Sequence, residues 1–131
     1  MTNASPRASK SPVAELLGQE FIAERPEEIE IAFHPDARML NPHGTVQGGI
    51  VAAMLDETMA PALFLLAGRK YIASSLDLNV SFIRPVKPGR VIAKGRVVRC
   101  GQSIAFLEAE LSDERGELLA RATSTAIPLS L

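Results

Sequence analysis

The sequence predicts an α+β fold, one long apolar helix packed on an antiparallel β-sheet, and three observations carry that prediction. Between Gly48 and Ala67 nearly every position is apolar or small, so this segment reads as a central helix enclosed by other structure. From Tyr71 the period changes to two: Leu76, Leu78, Val80 and Phe82 alternate with Ser75, Asp77, Asn79 and Ser81. The segments that follow are separated only by short turn signals, as in an antiparallel meander.

Taken in order, Met1 to Pro12 is polar and has no apolar h-region of a secretory signal. It is expected to be a frayed tail ahead of a single domain over residues 13–131. Val13 to Gln19 fits a short helix, and Glu28 to Phe33 alternates acidic and apolar residues like a half-exposed strand. Pro35, Asn41, Pro42 and Gly44 turn the stretch from Pro35 to Val46 into a loop that delivers the chain to a helix start. The helix runs from Gly48 to about Ala67, with Gly68 as its terminator. Pro61 within it should leave the Glu57 carbonyl without its helical partner and bend the helix just after Asp56. Beyond the strand from Tyr71, Pro85, Pro88 and Gly89 mark a turn, and Val91 to Cys100 is a second strand. Gly101 and Gln102 turn again, Ile104 to Leu111 is a third, and Asp113 to Gly116 forms the last hairpin before Leu118 to Ile127.

Composition narrows the function. A chain of 131 residues with 47% hydrophobic content can fill one core. Its 14 basic and 15 acidic residues give a net charge of -1, which supplies no electrostatic reason for a nucleic acid or an anionic membrane as partner. The expected partner is a small molecule or another copy of the chain. Cys100 is alone, so no intramolecular disulfide forms, and a reducing cytoplasm is the expected location. The apolar stretch from Ile50 to Ala67 contains Asp56, Glu57, Thr58 and Pro61, which argues against a membrane span. His34 and His43, the two histidines, lie nine residues apart across a loop and read as structural rather than as metal ligands.

The chemistry concentrates in Asn41-Pro42-His43-Gly44-Thr45-Val46-Gln47-Gly48-Gly49, followed by Asp56 in an otherwise apolar helix. Gly48 and Gly49 either let the chain turn tightly into the helix or leave its first N–H groups open to a ligand. In the second case they can polarise a carbonyl oxygen as its carbon becomes tetrahedral. Asp56 sits among Met54, Leu55 and Met59, where a carboxylate is costly to desolvate unless it faces a cavity or a partner. Gly48 and Asp56 are eight residues apart, hence roughly 12 Å along one helix at about 1.5 Å per residue. One carbonyl group cannot touch both. If the two act together, Asp56 comes from a neighbouring chain related by a two-fold axis.

The segment from Asn41 to Leu63, with Asn-Pro-x-Gly-x-Val-x-Gly-Gly and an aspartate eight residues past the first of the paired glycines, resembles the PaaI-like branch of the hotdog-fold acyl-CoA thioesterases. Ser75 to Pro85, Pro88-Gly89 and Val97 to Ser103 extend the similarity over the remaining strands, for a coverage of about residues 28–127. The resemblance implies an antiparallel sheet wrapped around the central helix, dimers with a continuous sheet, frequent tetramers, and hydrolysis of acyl-CoA without a cofactor. It implies that Asp56 is nucleophile or general base, that the Gly48 N–H polarises the thioester carbonyl, that Asn41 lies near the thioester, and that Ser75 helps hold the attacking water. Many relatives carry histidine where this chain has Gln47, which can donate a hydrogen bond but cannot exchange a proton near neutral pH.

Around these, Gly49, Arg84, Arg99, Gln102 and Ser103 are candidates for contact with CoA, and Lys87 and Arg90 are further cations near strand ends. Met39, Met54, Met59, Phe64 and Phe82 are core residues unless some line an acyl tunnel. A hotdog hydratase is disfavoured, because aligning Asn41-Pro42 with the hydratase run puts Met39 and Gly44 where its two proton carriers belong. The alternative from another class is a non-catalytic acyl-CoA-binding or regulatory module on the same fold, for which a carboxylate at Asp56 would serve no purpose.

Overall fold

The computed structural model describes residues 10–131. Its elements are α1 (Pro12–Leu16), β1 (Glu20–Glu24), β2 (Ile29–Phe33), a single 3-10 turn (Ala37–Met39), α2 (Gly48–Leu66), β3 (Tyr71–Phe82), β4 (Val91–Cys100), β5 (Ala105–Asp113) and β6 (Leu118–Ser130). The strands form one antiparallel sheet in the order β1-β2-β4-β5-β6-β3, so β3 is an edge strand although it comes third in the chain. This is the α+β hotdog arrangement, six strands against one long helix.

The amino terminus departs from expectation. The expected tail falls mainly outside the described residues, but Ser11 and Pro12 belong to α1: the Ser11 hydroxyl accepts the Ala14 N–H at 3.1 Å, and Pro12 opens the first turn. The helix expected to reach Gln19 stops at Leu16, because Gly18 adopts φ 65° and swings the chain into β1. β1 itself has no periodic signature: Phe21, Ile22 and Ala23 are consecutive apolar residues, and a register shift lies between Phe21 and Ala23. Elsewhere the expected boundaries shift by one to three residues at strand ends, where pairing outlasts alternation.

The buried stripe of α2 comprises Val51, Met54, Leu55, Thr58, Met59, Ala62, Leu63 and Leu65, which meet Ile29, Ile31 and Phe33 of β2 and the inward residues of β4 to β6 in one core. A stripe this continuous explains how α2 runs on through Pro61, since packing against the sheet outweighs the lost hydrogen bond. α2 approaches β4 closely at Gly95, where a Cβ would lie 2.9 Å from both the Thr58 methyl and the Thr58 carbonyl oxygen. The Thr58 hydroxyl donates to the Met54 carbonyl at 2.7 Å and so carries no unpaired polar group into the core.

The helix is not enclosed on every side, contrary to the sequence expectation. Ala52, Ala53, Asp56, Glu57, Ala60, Pro61 and Phe64 are only partly covered. A single sheet can cover one flank of a helix; the apolar residues of the other flank remain available to something outside this chain. By length and composition α2 would also pass for a membrane span, but its buried face here lies against the sheet.

Candidate active site

The loop before α2 is built by Asn41. Its side-chain oxygen accepts the N–H groups of His43 (2.9 Å) and Thr45 (3.2 Å), and its side-chain amide donates to the Thr45 hydroxyl (2.9 Å). Its backbone N–H donates to the Thr45 carbonyl at 2.8 Å. This Asx-type loop is closed by Gly44 at φ 85°, a conformation that favours glycine. Gln47 then donates its N–H to the Met39 carbonyl at 2.8 Å and accepts those of Ile50 and Val51 at 2.9 and 3.1 Å. Gly48 and Gly49 therefore stand in the first turn with N–H groups that have no acceptor within the helix.

Neither of these two glycines lies in the left-handed region, so the tight-turn explanation belongs to Gly44 and not to them. A Cβ on Gly48 would sit 3.4 Å from the Phe82 ring, an ordinary contact, and one on Gly49 would come within 2.8 Å of the side-chain oxygen of Gln47, the far end of a flexible side chain that can move aside. Gln47 thus lies over the first turn without capping it by hydrogen bond. Asn41, Thr45, Val46, Gly48, Val51 and Phe82 line a groove of about 330 Å³ that continues to Arg84 and Val86. At Arg84 and Pro85 it meets a second groove of about 540 Å³ bearing Lys87, Arg90 and Arg115.

Asp56 occupies the third turn of α2, half-buried, with no ion-pair partner among the described residues. Loss of water around it raises its pKa above the ordinary 3.8, and the Ser75 hydroxyl on β3 partly opposes the rise by hydrogen bonding to the charged form. Glu57 beside it is likewise raised, first by burial and then by the Asp56 charge. An apolar helix face holding an uncompensated carboxylate matches a group kept for chemistry rather than for stability.

Asp56 and Ser75 come together; so do Asn41, Gly48 and Phe82; the two groups are separate within one chain. Arg84 lies where the two grooves meet, but its guanidinium already donates to the Leu118 carbonyl at 2.7 Å and stands 3.8 Å from Glu117. Arg99, Gln102 and Ser103 lie at the β4–β5 hairpin, at the opposite end of the sheet from Arg84, with the Arg99 guanidinium folded toward Gly101. His34 is exposed beside Glu20 (3.4 Å), and His43 is exposed in the Asn41 loop. Met39, Met54 and Met59 are core residues, whereas Phe82 is 58% exposed. Its place at Gly48 was hidden in the sequence, because alternation marks a strand face and says nothing about whether that strand lies at an edge.

Comparisons with known proteins identify the fold and the family. Residues 43–120 match the sequence profile of the thioesterase superfamily. A phenylacetic acid degradation-related protein of Ralstonia eutropha superposes with a TM-score of 0.80 at 33% identity, over 92% of this chain and 94% of that one. A thioesterase of Haemophilus influenzae does so with a TM-score of 0.85 at 25% identity, over 96% and 87% of the two chains. Among curated proteins, mouse acyl-coenzyme A thioesterase 13 is 24% identical over 107 residues, which is 80% of this chain and 76% of that protein. Because the profile match covers more than half of the chain, and takes in Gly48, Asp56 and Ser75, the chain belongs to the thioesterase superfamily.

Proposed function

We propose that this chain hydrolyses aryl- or medium-chain acyl-CoA thioesters to the free acid and CoA, in the cytoplasm, as a homodimer or a tetramer of such dimers. The observation that carries the reading is Asp56, a half-buried, unpaired carboxylate on an apolar helix, held by Ser75. Its natural complement is the free N–H of Gly48 at the head of an open groove. The thioester carbonyl oxygen is taken by the Gly48 N–H of one copy, and Asp56 of the other acts on the carbonyl carbon, as nucleophile or as general base toward water held by Ser75. In the general-base route, the water oxygen bonds to the carbonyl carbon and its proton passes to Asp56. The tetrahedral species then collapses, the carbon–sulfur bond breaks and the CoA thiolate leaves. A thiolate is a good leaving group, which fits Gln47 standing where a proton-transferring histidine is common. Neither metal nor cofactor is required.

Asn41 shapes the loop that aims the Gly48 N–H. Gly49 leaves space at the helix start, and Arg84, Arg99, Gln102 and Ser103 are candidates to hold CoA. Free-thiol release across a panel of acyl-CoAs tests the proposal: turnover without added metal is expected. Tight CoA-ester binding with no turnover of any member would instead support a binding module.

A further inference from the structure

We propose that Asp77 and Ser124 are positioning residues: between them they hold a β-bulge in β3 that turns the Ser75 hydroxyl onto Asp56. The inference rests on the reading above of Asp56 as the reacting carboxylate. Side chains of a regular strand alternate faces, so residues an even number apart share one. Leu78, Val80 and Phe82 face α2, as do their buried partners Ser124, Ala122 and Ala120. Ser75 faces α2 as well, opposite the fully buried Ala126, although it lies three residues before Leu78. The odd count is absorbed at Leu76, which has no partner on β6: Ser75 pairs with Ala126, and Asp77 with the neighbouring Thr125.

The hydrophobic pattern works against this arrangement. In an unbulged strand Ile72, Ser74 and Leu76 would face the helix in line with Leu78, and Ser75 would point away from it, which is the alternation the sequence predicts. In the structure Leu76 is instead 54% exposed and Ile72 51%. A strand that leaves two large aliphatic side chains in water while it turns a hydroxyl inward needs a local device to hold it there.

That device sits directly after the bulge. A carboxylate oxygen of Asp77 accepts the Thr125 N–H at 3.0 Å, and the buried Ser124 hydroxyl donates to the Asp77 carbonyl at 2.8 Å. Asp77 is thus tied to β6 through both its side chain and its backbone. Its side chain lies on the outer face with Thr125, so its influence on Asp56 runs through Ser75. The direction of that influence is diagnostic: losing the Ser75 hydrogen bond raises the Asp56 pKa, whereas deleting a negative charge alone lowers it. Beside Asp56 on α2 stands Glu57, and among the described residues the faces of β2 to β6 turned to α2 carry only Tyr71 and Cys100 as titratable groups. Substitutions at Asp77 and Ser124 leave all three in place.

The test is an NMR titration of the Asp56 carboxyl, with the pH–rate profile beside it, in the full chain. Asp77→Ala and Ser124→Ala are each expected to raise the Asp56 pKa, move the acid limb upward and lower kcat a few-fold, as Ser75→Ala does. In a Ser75→Ala background they should add nothing. Asp77→Asn loses the same charge but keeps an oxygen for the Thr125 N–H, so its Asp56 pKa should stay at or below the wild-type value. Should the buried Ser124→Ala fail to fold, the exposed Asp77 pair decides. An Asp56 pKa that stays or falls in Asp77→Ala while rising in Ser75→Ala, or shifts that add in the double variant, overturns the inference and leaves the hydrolase reading standing. The expected titration shifts in a protein whose wild-type chain turns over no acyl-CoA sustain the positioning role and remove the hydrolase reading instead.

Discussion

The two ends of β3 hold opposite kinds of chemistry. At Ser75 the strand presents a hydroxyl to a half-buried, unpaired carboxylate; at Phe82 it lays an aromatic ring against a helix start whose N–H groups lack acceptors. One end offers negative charge, the other the donors that would stabilise negative charge as it develops. Within one chain they cannot serve one carbonyl, since α2 separates Asp56 from Gly48 by roughly 12 Å. In the proposed hydrolase each end supplies half of the reaction centre, contributed by two copies of the chain.

The largest expected effect breaks the Asp56 end. Asp56→Asn should lower acyl-CoA turnover by about 10³-fold or more, with affinity for the ester changed only a few-fold, because the amide keeps the shape but loses the charge. Thiol release and ligand titration measure both. The same variant should melt higher at neutral pH. Burial raises the Asp56 pKa in the folded chain, so the folded state holds that proton to higher pH than the unfolded state, and the destabilising contribution grows as pH rises above 3.8. Melting curves at neutral pH and below pH 3.8 should therefore differ and coincide, respectively.

Mixing chains joins or separates the ends directly. Asp56→Asn chains and Gly48→Val chains are each expected to be inactive alone, and after subunit exchange should recover about a quarter of wild-type activity, since half of randomly mixed dimers carry one intact site of two. Mixed dimers that stay inactive after verified exchange would remove the shared site.

A smaller effect belongs to the groove beyond Phe82. Arg84→Ala should raise KM by roughly tenfold with little change in kcat, as loss of one charge-assisted phosphate contact would, and by more than Arg99→Ala. Equal effects would place the CoA phosphates away from the junction of the two grooves.

The smallest effect sharpens the Ser75 end. Ser75→Ala should reduce kcat a few-fold and shift the acid limb of the pH–rate profile upward. Activity needs the Asp56 carboxylate and is lost as pH falls through a pKa already above 3.8; Ser75 holds that pKa down, so its removal moves the limb to higher pH. A limb that stays in place would mean that Ser75 does not touch the carboxylate in the assembled enzyme.

Local chemistry determined much of this protein from the sequence alone. Period-two alternation from Tyr71, the apolar run from Gly48 and the turn residues between strands are short-range signals, and the elements they predict are present. Asp56 was legible because a carboxylate among methionines and leucines is an energetic anomaly in any fold. The spacing of Gly48 and Asp56 sets them roughly 12 Å apart because helical rise is fixed, so a site that uses both needs two chains. Tertiary structure alone decided where those elements lie. The strand order makes β3 an edge, which exposes Phe82, and one flank of α2 is only partly covered; the Asn41 loop uses its side chain to hold itself together; Gly48 packs beside Phe82, and neither it nor Gly49 serves a left-handed turn. None of these could be read from the chain, because each depends on which distant residue becomes a neighbour. Periodicity records only that a face will be buried, not by what.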